Sequence, residues 1–483
     1  MNARLSNTGL SKGGPLTKRE KRPLPPGPGG LSSLTNPWTA WRDPIGLFRR
    51  MTRDYGNVAM ITFGPLKYVI VNDPAAIKYV LLDNAKNYVK SRHYRGIKLI
   101  LGNGLLTSEG DFWRRQRKLA QPAFHRERLS TFIDSMTLAT DAMFERWRAR
   151  GDGKAFETDI HEEMMASTFH IVGLTLLSVD LLGEADQIGK ALSTALYFAN
   201  DYAESIVPIP LWVPTPKNRR FIAARKSLDE VVLRVIGERR AARKGGQVPA
   251  EKRGKAGDLL DMLMDAKDED TGEQMSDGQL RDEVMTMVLA GHETTANALT
   301  FSLYLLSQHP DIARRVAKEV TDVLGGRTPK LEDLPKLGLV KRVLEESMRL
   351  YPPAWAFERQ ALEEDEINGF RIPKGAVIGV CPFVLQRDPV SFDNPEGFDP
   401  DRFLAENSKE RGKYTYLPFG GGARVCIGSQ FAMMEAELVL AKIVQEWKID
   451  LLPITRLELD PVITLRPRGG LAMRIAPKKQ TAT

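Results

Sequence analysis

The chain has 483 residues, of which 42% are hydrophobic and 27% are charged, which excludes the disordered and fibrous classes. The formal net charge of +8 permits acidic partners, but no helix-turn-helix, zinc-finger or aromatic-basic RNA motif accompanies it, so we expect no nucleic-acid partner. Only two cysteines, Cys381 and Cys426, occur in the chain, which favours a reducing compartment over a disulfide-rich secreted fold.

The amino-terminal part is polar, basic and rich in proline and glycine. We therefore predict a flexible tail over residues 1–30 and a single domain over 31–483. The longest apolar stretch, 171–179, is interrupted by polar residues and is far shorter than the roughly 18 apolar residues of a membrane span. We expect a cytoplasmic protein without a membrane span.

The first half of the remaining chain begins with a strand signal and continues with helical ones. Two β-rich runs, 58–63 and 68–71, flank Gly64 and Pro65 and predict a hairpin. Residues 111–310 have mostly helical patterning, which short loops interrupt.

Within this helical part, the polar stretch 239–257, rich in glycine and lysine, predicts an exposed loop. Ser276 and Gln279 fit a capping box at the start of the longest predicted helix, which runs to just before Pro310 and would span about 50 Å. A second strand-rich segment covers 367–383, and an amphipathic helix follows Cys426. The expected fold class is mainly α with small β-sheets.

Residues 419–428 carry the strongest chemical signal. The glycines at 420–422 mark a tight turn or a close approach of the backbone, and helical periodicity follows Cys426. A cysteine at a helix N-terminus is favoured as a thiolate, which acts as a nucleophile or a metal ligand. No histidine is near in sequence to serve as a general base, although the fold could supply one, and zinc would need more ligands. One soft ligand beside Arg424 suits an iron porphyrin with its propionates.

This segment resembles the haem-binding signature of the cytochrome P450 family, Phe-x-x-Gly-x-Arg-x-Cys-x-Gly, at every specified position. The resemblance implies haem b between a long central helix and the cysteine segment, with Cys426 as the proximal iron ligand. It further implies that Arg424 binds a propionate, that Phe419 packs near the sulfur, and that Gly422 and Gly428 belong to the haem-binding surface.

Two further arginine positions resemble propionate contacts of the same family. Trp113 and Arg117 are four residues apart on a predicted helix, so both can point the same way, as in the family's Trp-x-x-x-Arg motif. Arg359 follows a proline-rich turn and is similar to another family contact. A guanidinium suits this role because it pairs with a carboxylate through two hydrogen bonds.

Glu346 and Arg349 resemble the family's Glu-x-x-Arg pair, and Arg402 is similar to its third member. Ion pairs at this helical spacing are common and contribute little by themselves. By the resemblance, we expect the three residues to form a structural network behind the haem and to have no catalytic role.

The long predicted helix contains Ala290, Gly291, Glu293 and Thr294 in one short run. A glycine within a helix is unfavourable relative to alanine, and the small side chains leave space beside the helix. The run resembles the family's oxygen-binding groove. The resemblance implies that Ala290 and Gly291 face the haem, and that Glu293 and Thr294 deliver protons during catalysis.

Together these resemblances imply a haem-thiolate monooxygenase that uses O2, two electrons and two protons to hydroxylate or epoxidise a hydrophobic substrate. A fatty acid, terpenoid, steroid or carotenoid would fit. A peroxide-driven haem oxygenase and a non-catalytic haem-binding protein are the alternatives, and the retained pair of Glu293 and Thr294 counts against both. We expect a separate ferredoxin or flavodoxin-type partner with its reductase, docking on the Cys426 side near Arg114, Arg115 and Lys118.

Overall fold

The structure is a computed structural model and describes residues 22–29, 42–205, 207–245, 258–267 and 272–478. The α-helices within these ranges are Pro44–Tyr55, Pro74–Lys78, Tyr94–Leu101, Gly110–Ala120, Arg126–Leu129, Ile133–Gly151, Ile160–Leu176, Ala185–Glu204, Pro216–Lys244, Leu259–Asp265, Asp277–Gln308, Pro310–Leu324, Gly338–Leu350, Pro382–Leu385, Ala405–Ser408 and Ser429–Glu446.

The strands are β1 (Val58–Phe63), β2 (Leu66–Val71), β3 (Tyr88–Val89), β4 (Phe156–Asp159), β5 (Phe357–Ala361), β6 (Asp365–Ile367), β7 (Phe370–Ile372), β8 (Val377–Val380), β9 (Trp447–Leu451), β10 (Leu459–Pro461), β11 (Leu465–Pro467) and β12 (Ala472–Pro477). The largest sheet has the order β1-β2-β8-β5-β3, in which only β2 and β8 pair in parallel. The smaller sheets are β4-β12-β9, β10-β11 and β6-β7. The expected fold class, mainly α with small sheets, is confirmed.

The hairpin β1–β2 forms where the sequence predicts it. Val58 pairs with Val71 and Phe63 with Leu66, so β2 begins two residues earlier than expected. Gly64 allows the turn because its φ of 57° lies in the left-handed region, which favours glycine.

The helix Asp277–Gln308, called the central helix below, confirms the prediction at both ends. The Ser276 hydroxyl and the Gln279 side chain form a capping box, and the helix stops just before Pro310. It packs against helices from both halves of the chain, and most of its side chains are buried. Among the helices of the described ranges, none is long and apolar enough to cross a membrane.

The predicted loop at 239–257 is wrong in its first part, because the helix Pro216–Lys244 continues through residues 239–244. Arg239 donates to Asp258 at 2.6 Å, and Arg243 donates to Asp261 at 2.6 Å. The two carboxylates come from a later segment of the chain. They pair with arginine side chains that the sequence pattern alone would assign to solvent. Residues 246–257 lie outside the described residues.

The predicted strand-rich segment, 367–383, contains several short strands separated by turns. β6 ends at Ile367, β7 and β8 follow, and Phe383 lies in a short helix, while β5 precedes the predicted segment. Of the predicted tail, residues 1–21 and 30 lie outside the described residues. Over residues 22–29 the chain is held on β1, where Met60 N–H donates to the Pro26 carbonyl at 2.8 Å. A Cβ on Gly27 would lie 1.8 Å from the Met60 oxygen, so this contact needs glycine.

Glu346, Arg349 and Arg402 come together as the sequence predicts. Arg349 forms two hydrogen bonds of 2.7 Å with Glu346, and Arg402 lies 3.2 Å from the same carboxylate. Arg349 also donates to the carbonyls of Pro395 and Gly397. Glu346 and Arg349 are fully buried. The network therefore fixes the helix Gly338–Leu350 against the segment around Arg402.

Candidate functional site

A cavity of about 860 Å³ lies between the central helix and the loop 419–428, called the cysteine loop below. Its walls come from widely separated parts of the chain, and much of its lining is apolar, including Leu105, Leu289, Ala298, Trp355 and Ile463. The volume is in the upper part of the range of small-molecule sites, ~300–1,000 Å³.

The cysteine loop owes its shape to two glycines in left-handed conformations. Gly420 has a φ of 71° and Gly422 a φ of 67°, and Cys426 N–H donates to the Phe419 carbonyl at 2.9 Å, which closes the loop. A Cβ on Gly422 would lie 1.9 Å from the Leu81 oxygen. Gly422 therefore packs against Leu81, which fixes the backbone of the cysteine loop.

Cys426 lines the cavity and lies just before the helix Ser429–Glu446, whose N-cap is Gly428. The surface area that Cys426 exposes lies at this cavity. Burial raises the pKa of the Cys426 thiol, while the Gly428 N–H and Arg117 act in the opposite direction. The helix terminus by itself therefore does not yield a thiolate, and a metal cation bound to the sulfur would displace the proton.

Phe419 and Gly428, the remaining signature residues, both line the cavity beside Cys426. Ala290, Gly291 and Thr294 line it from the central helix. The Thr294 hydroxyl donates to the Ala290 carbonyl at 2.7 Å, so its oxygen stays free to accept a hydrogen bond from within the cavity.

Arg424 is the best-defined cation of the cavity wall. Its guanidinium lies 3.7 Å from the centre of the Trp113 ring and donates to the Glu109 carboxylate at 2.5 Å. The same carboxylate accepts from the Lys90 N–H at 2.7 Å. Burial lowers the pKa of Arg424 to about 10, and a buried nitrogen of this guanidinium has no hydrogen-bond partner among the described residues.

Four more cations line the same cavity: Lys90, Arg92, Arg117 and Arg359. Arg117 donates to the Val425 carbonyl at 2.8 Å, so it also supports the cysteine loop. Burial, together with Arg359 and Arg424, lowers the pKa of Lys90 well below its ordinary value. Lys90 was missed in the sequence because no motif surrounds it, and only the fold brings it to the arginines.

The residues present fit the porphyrin that the sequence implies. Five lysine and arginine side chains line the cavity, whereas its lining carboxylates are Glu204 and Glu358, and the neighbouring Glu109 pairs with Arg424. Burying such an excess of positive charge is costly unless an anionic ligand balances it. The two propionates of haem b would supply that charge, and the unpartnered nitrogen of Arg424 gives one of them a donor.

Glu293, for which the resemblance implies a role in proton delivery, is buried next to Thr464. It is 1% exposed and does not line the cavity, because consecutive residues on a helix point about 100° apart. Its carboxylate accepts from the Thr464 hydroxyl at 2.6 Å and lies 3.7 Å from Arg466. Burial raises the pKa of Glu293 despite these two neighbours. Thr464 does line the cavity and therefore lies between the carboxyl and the site.

A second buried carboxylate, Glu358, organises the wall near Arg359. It accepts from the Tyr68 hydroxyl at 2.8 Å and from Ser91 at 2.5 Å, and it lies 2.6 Å from His93 Nδ1. Burial raises the pKa of Glu358, but His93, Ser91 and Tyr68 outweigh burial and lower it overall. Glu358 and its partners come from three chain segments, so short-range sequence patterns could not identify the network.

Comparison with known proteins gives consistent results. The cytochrome P450 family model matches residues 25–472. Cyclooctatin synthase of Streptomyces melanosporofaciens is 37% identical over 459 residues, 93% of this chain and 95% of that protein. Pentalenene oxygenase of Streptomyces avermitilis is 32% identical over 428 residues, 88% and 91% of the two chains. The crystal structure of the cytochrome P450DA heme domain superposes with a TM-score of 0.82 at 26% identity, covering 95% of this chain and 98% of that one.

Proposed function

The chain belongs to the cytochrome P450 family and is a haem-thiolate monooxygenase with haem b as cofactor, and we propose that its substrate is a terpenoid. The enzyme uses O2 and electrons from a redox partner to oxidise a hydrophobic molecule. The relatives include bacterial terpenoid monooxygenases, and the apolar walls of the cavity suit a hydrocarbon skeleton.

Cys426 is the proposed iron ligand, and Phe419, Gly428, Ala290 and Gly291, which line the same cavity, would contact the haem. When bound, the haem supplies the oxidising chemistry, and thiolate ligation favours cleavage of the O–O bond. The protein's part is to hold the sulfur in place. The closed cysteine loop and its hydrogen bond from Arg117 to the Val425 carbonyl do this.

The propionates are proposed to lie among Arg117, Arg359, Arg424 and Lys90, with Trp113 stacked on Arg424. The observation that carries the assignment of the cofactor site is the buried Arg424 nitrogen without a partner in the described part of the chain, in the same cavity as Cys426. A donor left unpaired in a buried site costs free energy, which a carboxylate acceptor would recover.

Proton delivery is proposed to involve Glu293, Thr294 and also Thr464. Since Glu293 is turned away from the cavity, its proton would pass to the Thr464 hydroxyl, which contacts both the carboxyl and the cavity. Thr294 offers an acceptor oxygen in the same cavity. Burial keeps the Glu293 carboxyl in its protonated form over a wider pH range, as a proton donor requires.

The cofactor assignment is tested by the carbon monoxide spectrum of the reduced protein. The wild-type protein should show the red-shifted band of sulfur-ligated ferrous haem, and Cys426→Ala should lose that band. Cys381→Ala is the matched control, because Cys381 is the other cysteine and is buried outside this cavity. A Cys426→Ala protein that keeps the band would contradict the assignment.

The substrate class is tested by spin-state shifts of the haem on titration with cyclic terpenes, terpene alcohols and fatty acids. We expect shifts with the terpenoids at micromolar concentrations. NADPH consumption with a surrogate reductase would then separate turnover from mere binding. If fatty acids gave shifts and no terpenoid did, the proposed substrate class would be wrong.

For the redox partner, we propose a small acidic ferredoxin or a flavodoxin-type protein with its reductase, docking on the Cys426 side. Arg114 is the best contact on this surface, because its side chain is 62% exposed and its partner Asp111 lies on the same helix turn. Arg115 already pairs with Glu273 at 3.4 Å, and Lys118 also has an interaction partner.

Arg114→Glu should slow reduction by an acidic donor and weaken its dependence on salt. Arg474→Glu is the matched control, since this side chain is 54% exposed and lies on β12. Equal reduction rates in the two variants would exclude docking at Arg114.

A further inference from the structure

Four polar side chains that line the cavity have no part in the proposed haem site. They are called the polar cluster below: Arg92, His93, Asn200 and Glu204. A polar group that loses water to an apolar ligand without gaining a hydrogen bond costs free energy, so a pure hydrocarbon is a poor match for such groups. The polar cluster therefore bears on which substrate the cavity accepts.

The polar cluster is assembled where two helices of the cavity wall meet. One helix contains Gly96 and follows directly after Arg92 and His93. The other helix contains Ala199 and ends at Glu204. An added Cβ on Gly96 would lie 2.0 Å from the Ala199 oxygen, so the two helices touch about one turn away from each part of the polar cluster. The fold therefore brings the two parts of the cluster together.

The charges of the polar cluster act on one another. Burial and Arg92 lower the pKa of His93, but Glu358 and Glu204 outweigh them and raise it overall. An arginine and a glutamate therefore lie close enough to the same imidazole to act on it with opposite signs. The polar cluster offers a positive and a negative charge to one region of the cavity.

Hydrogen-bonding capacity remains open in the polar cluster. Asn200 donates to one Glu204 oxygen at 3.1 Å, and the other Glu204 oxygen has no partner among the described residues. Arg92 makes neither a hydrogen bond nor an ion pair within the ranges that the structure describes. His93 uses Nδ1 for its contact with Glu358 at 2.6 Å. A ligand can therefore find an acceptor at Glu204 and a donor at Arg92.

Opposite charges in one region favour a neutral polar group over an ion. A carboxylate on the substrate would be attracted by Arg92 and repelled by Glu204, and an ammonium group would meet the reverse. A hydroxyl group can donate to the carboxylate and accept from the guanidinium at the same time. Among the polar groups of small hydrophobic molecules, the hydroxyl group therefore suits the polar cluster best.

We propose that the polar cluster binds a hydroxyl group of the substrate, so that the substrate is a terpenoid alcohol and not a terpene hydrocarbon. The substrate hydroxyl would donate to Glu204 and accept from Arg92, while the carbon skeleton would contact the apolar lining of the cavity. This inference rests on the proposed function and narrows it. An earlier enzyme must then have introduced the hydroxyl group.

The test is a titration of the haem spin state with ligands that share one carbon skeleton. Abietadiene, abietol and abietic acid carry a methyl, a hydroxymethyl and a carboxylate group at the same position, and α-cedrene and cedrol give a second pair of hydrocarbon and alcohol. The full-length, haem-loaded protein should bind each alcohol about tenfold more tightly than its hydrocarbon. Abietic acid should bind more weakly than abietol.

Glu204→Ala should remove most of the preference for the alcohol and should bind abietic acid about fivefold more tightly, because the repelling carboxylate is gone. A purely structural defect would instead weaken all three ligands alike. Glu204→Gln keeps an acceptor oxygen and should keep most of the preference. Asp201→Asn is the matched control, because Asp201 lies on the same helix, pairs with Lys217 and does not line the cavity; it should bind like the wild type.

Wild-type protein that binds abietadiene and α-cedrene as tightly as their alcohols would overturn the inference and leave the proposed function standing. A Glu204→Ala variant that keeps the full preference for the alcohols would also overturn it. Spin-state shifts with fatty acids and with no terpenoid would instead contradict the proposed function, and the inference with it.

Discussion

At the scale of single residues, one hydroxyl group lies between a buried carboxyl group and the cavity. Glu293 and Thr294 are neighbours in sequence, yet only Thr294 lines the cavity. Thr464, 171 positions along the chain from Glu293, supplies the missing contact at 2.6 Å. The Glu293 carboxyl and the hydroxyl that is proposed to take up its proton therefore come from distant parts of the chain, and each can be tested by substitution.

Thr464→Val should increase the share of electrons lost as peroxide by roughly tenfold, because the variant keeps the side-chain shape and removes the hydroxyl between Glu293 and the cavity. Haem content and the carbon monoxide spectrum should not change. Peroxide release per NADPH consumed measures the effect, and Thr464→Ser is the matched control that should stay coupled. Coupling equal to wild type in Thr464→Val would rule out a path through this hydroxyl.

Glu283, on the central helix, makes a pH-dependent contribution to stability. Burial raises the pKa of Glu283 from 4.5 to about 7, and the nearby Asp282 adds to the shift. The folded protein therefore holds a proton that the unfolded chain has released between pH 4.5 and 7. The contribution of this group to the free energy of unfolding is therefore complete at low pH and is lost as the pH rises through that window.

Glu283→Gln should remove this dependence, while its amide oxygen can still accept from the Leu105 N–H, which lies 3.0 Å from the carboxylate. Between pH 4.5 and pH 8, the free energy of unfolding of the variant should increase by up to about 3 kcal/mol relative to that of the wild type. Urea denaturation at several pH values measures this. A difference between the two proteins that does not vary with pH would contradict the shifted pKa.

At the scale of elements, a close helix crossing forms one wall of the cavity. The helix Tyr94–Leu101 meets the helix Ala185–Glu204 at Gly96, where an added Cβ would lie 2.0 Å from the Ala199 oxygen. Both helices line the cavity, so their separation helps to set its width.

Gly96→Ala should lower the free energy of unfolding by about 1–3 kcal/mol, because the added methyl group forces the two helices apart. Gly189→Ala is the matched control on the Ala185–Glu204 helix, where an added Cβ meets nothing within 4 Å. It should raise stability by about 0.5–1 kcal/mol through helix propensity. Chemical denaturation measures both changes. An unchanged free energy of unfolding in Gly96→Ala would show that the two helices accommodate the methyl group without cost.

At the scale of the whole molecule, a buried network of one carboxylate and two guanidinium groups joins parts of the chain that are distant in sequence. Glu346 and Arg349 are fully buried, and together with Arg402 they tie a helix to the segment that precedes the cysteine loop. Such a pair need not stabilise the fold more than apolar residues would, but the removal of one partner leaves a buried charge unpaired.

Glu346→Ala should therefore destabilise the protein by about 3–5 kcal/mol, enough to reduce the yield of folded, haem-containing protein. Asp322→Ala is the matched control, because it breaks an exposed pair with Lys318 and should change stability by less than about 1 kcal/mol. Denaturation midpoints measure both. Similar stability of the two variants would show that the buried network is dispensable.

The sequence by itself determined those features that depend on residues close together in the chain. Gly64 and Pro65 placed the hairpin, a capping box and Pro310 bounded the central helix, and the ten-residue motif around Cys426 identified the family. These signals act within a few residues of backbone, so they are readable without the fold.

Only the tertiary structure decided which way side chains face and which distant charges meet. It turned Glu293 toward Thr464, placed Gly422 against Leu81 and brought Lys90 to the arginines of the cavity. The physical reason is that such partners lie tens to hundreds of residues apart. Their pairing depends on how helices rotate and pack, which no local pattern specifies.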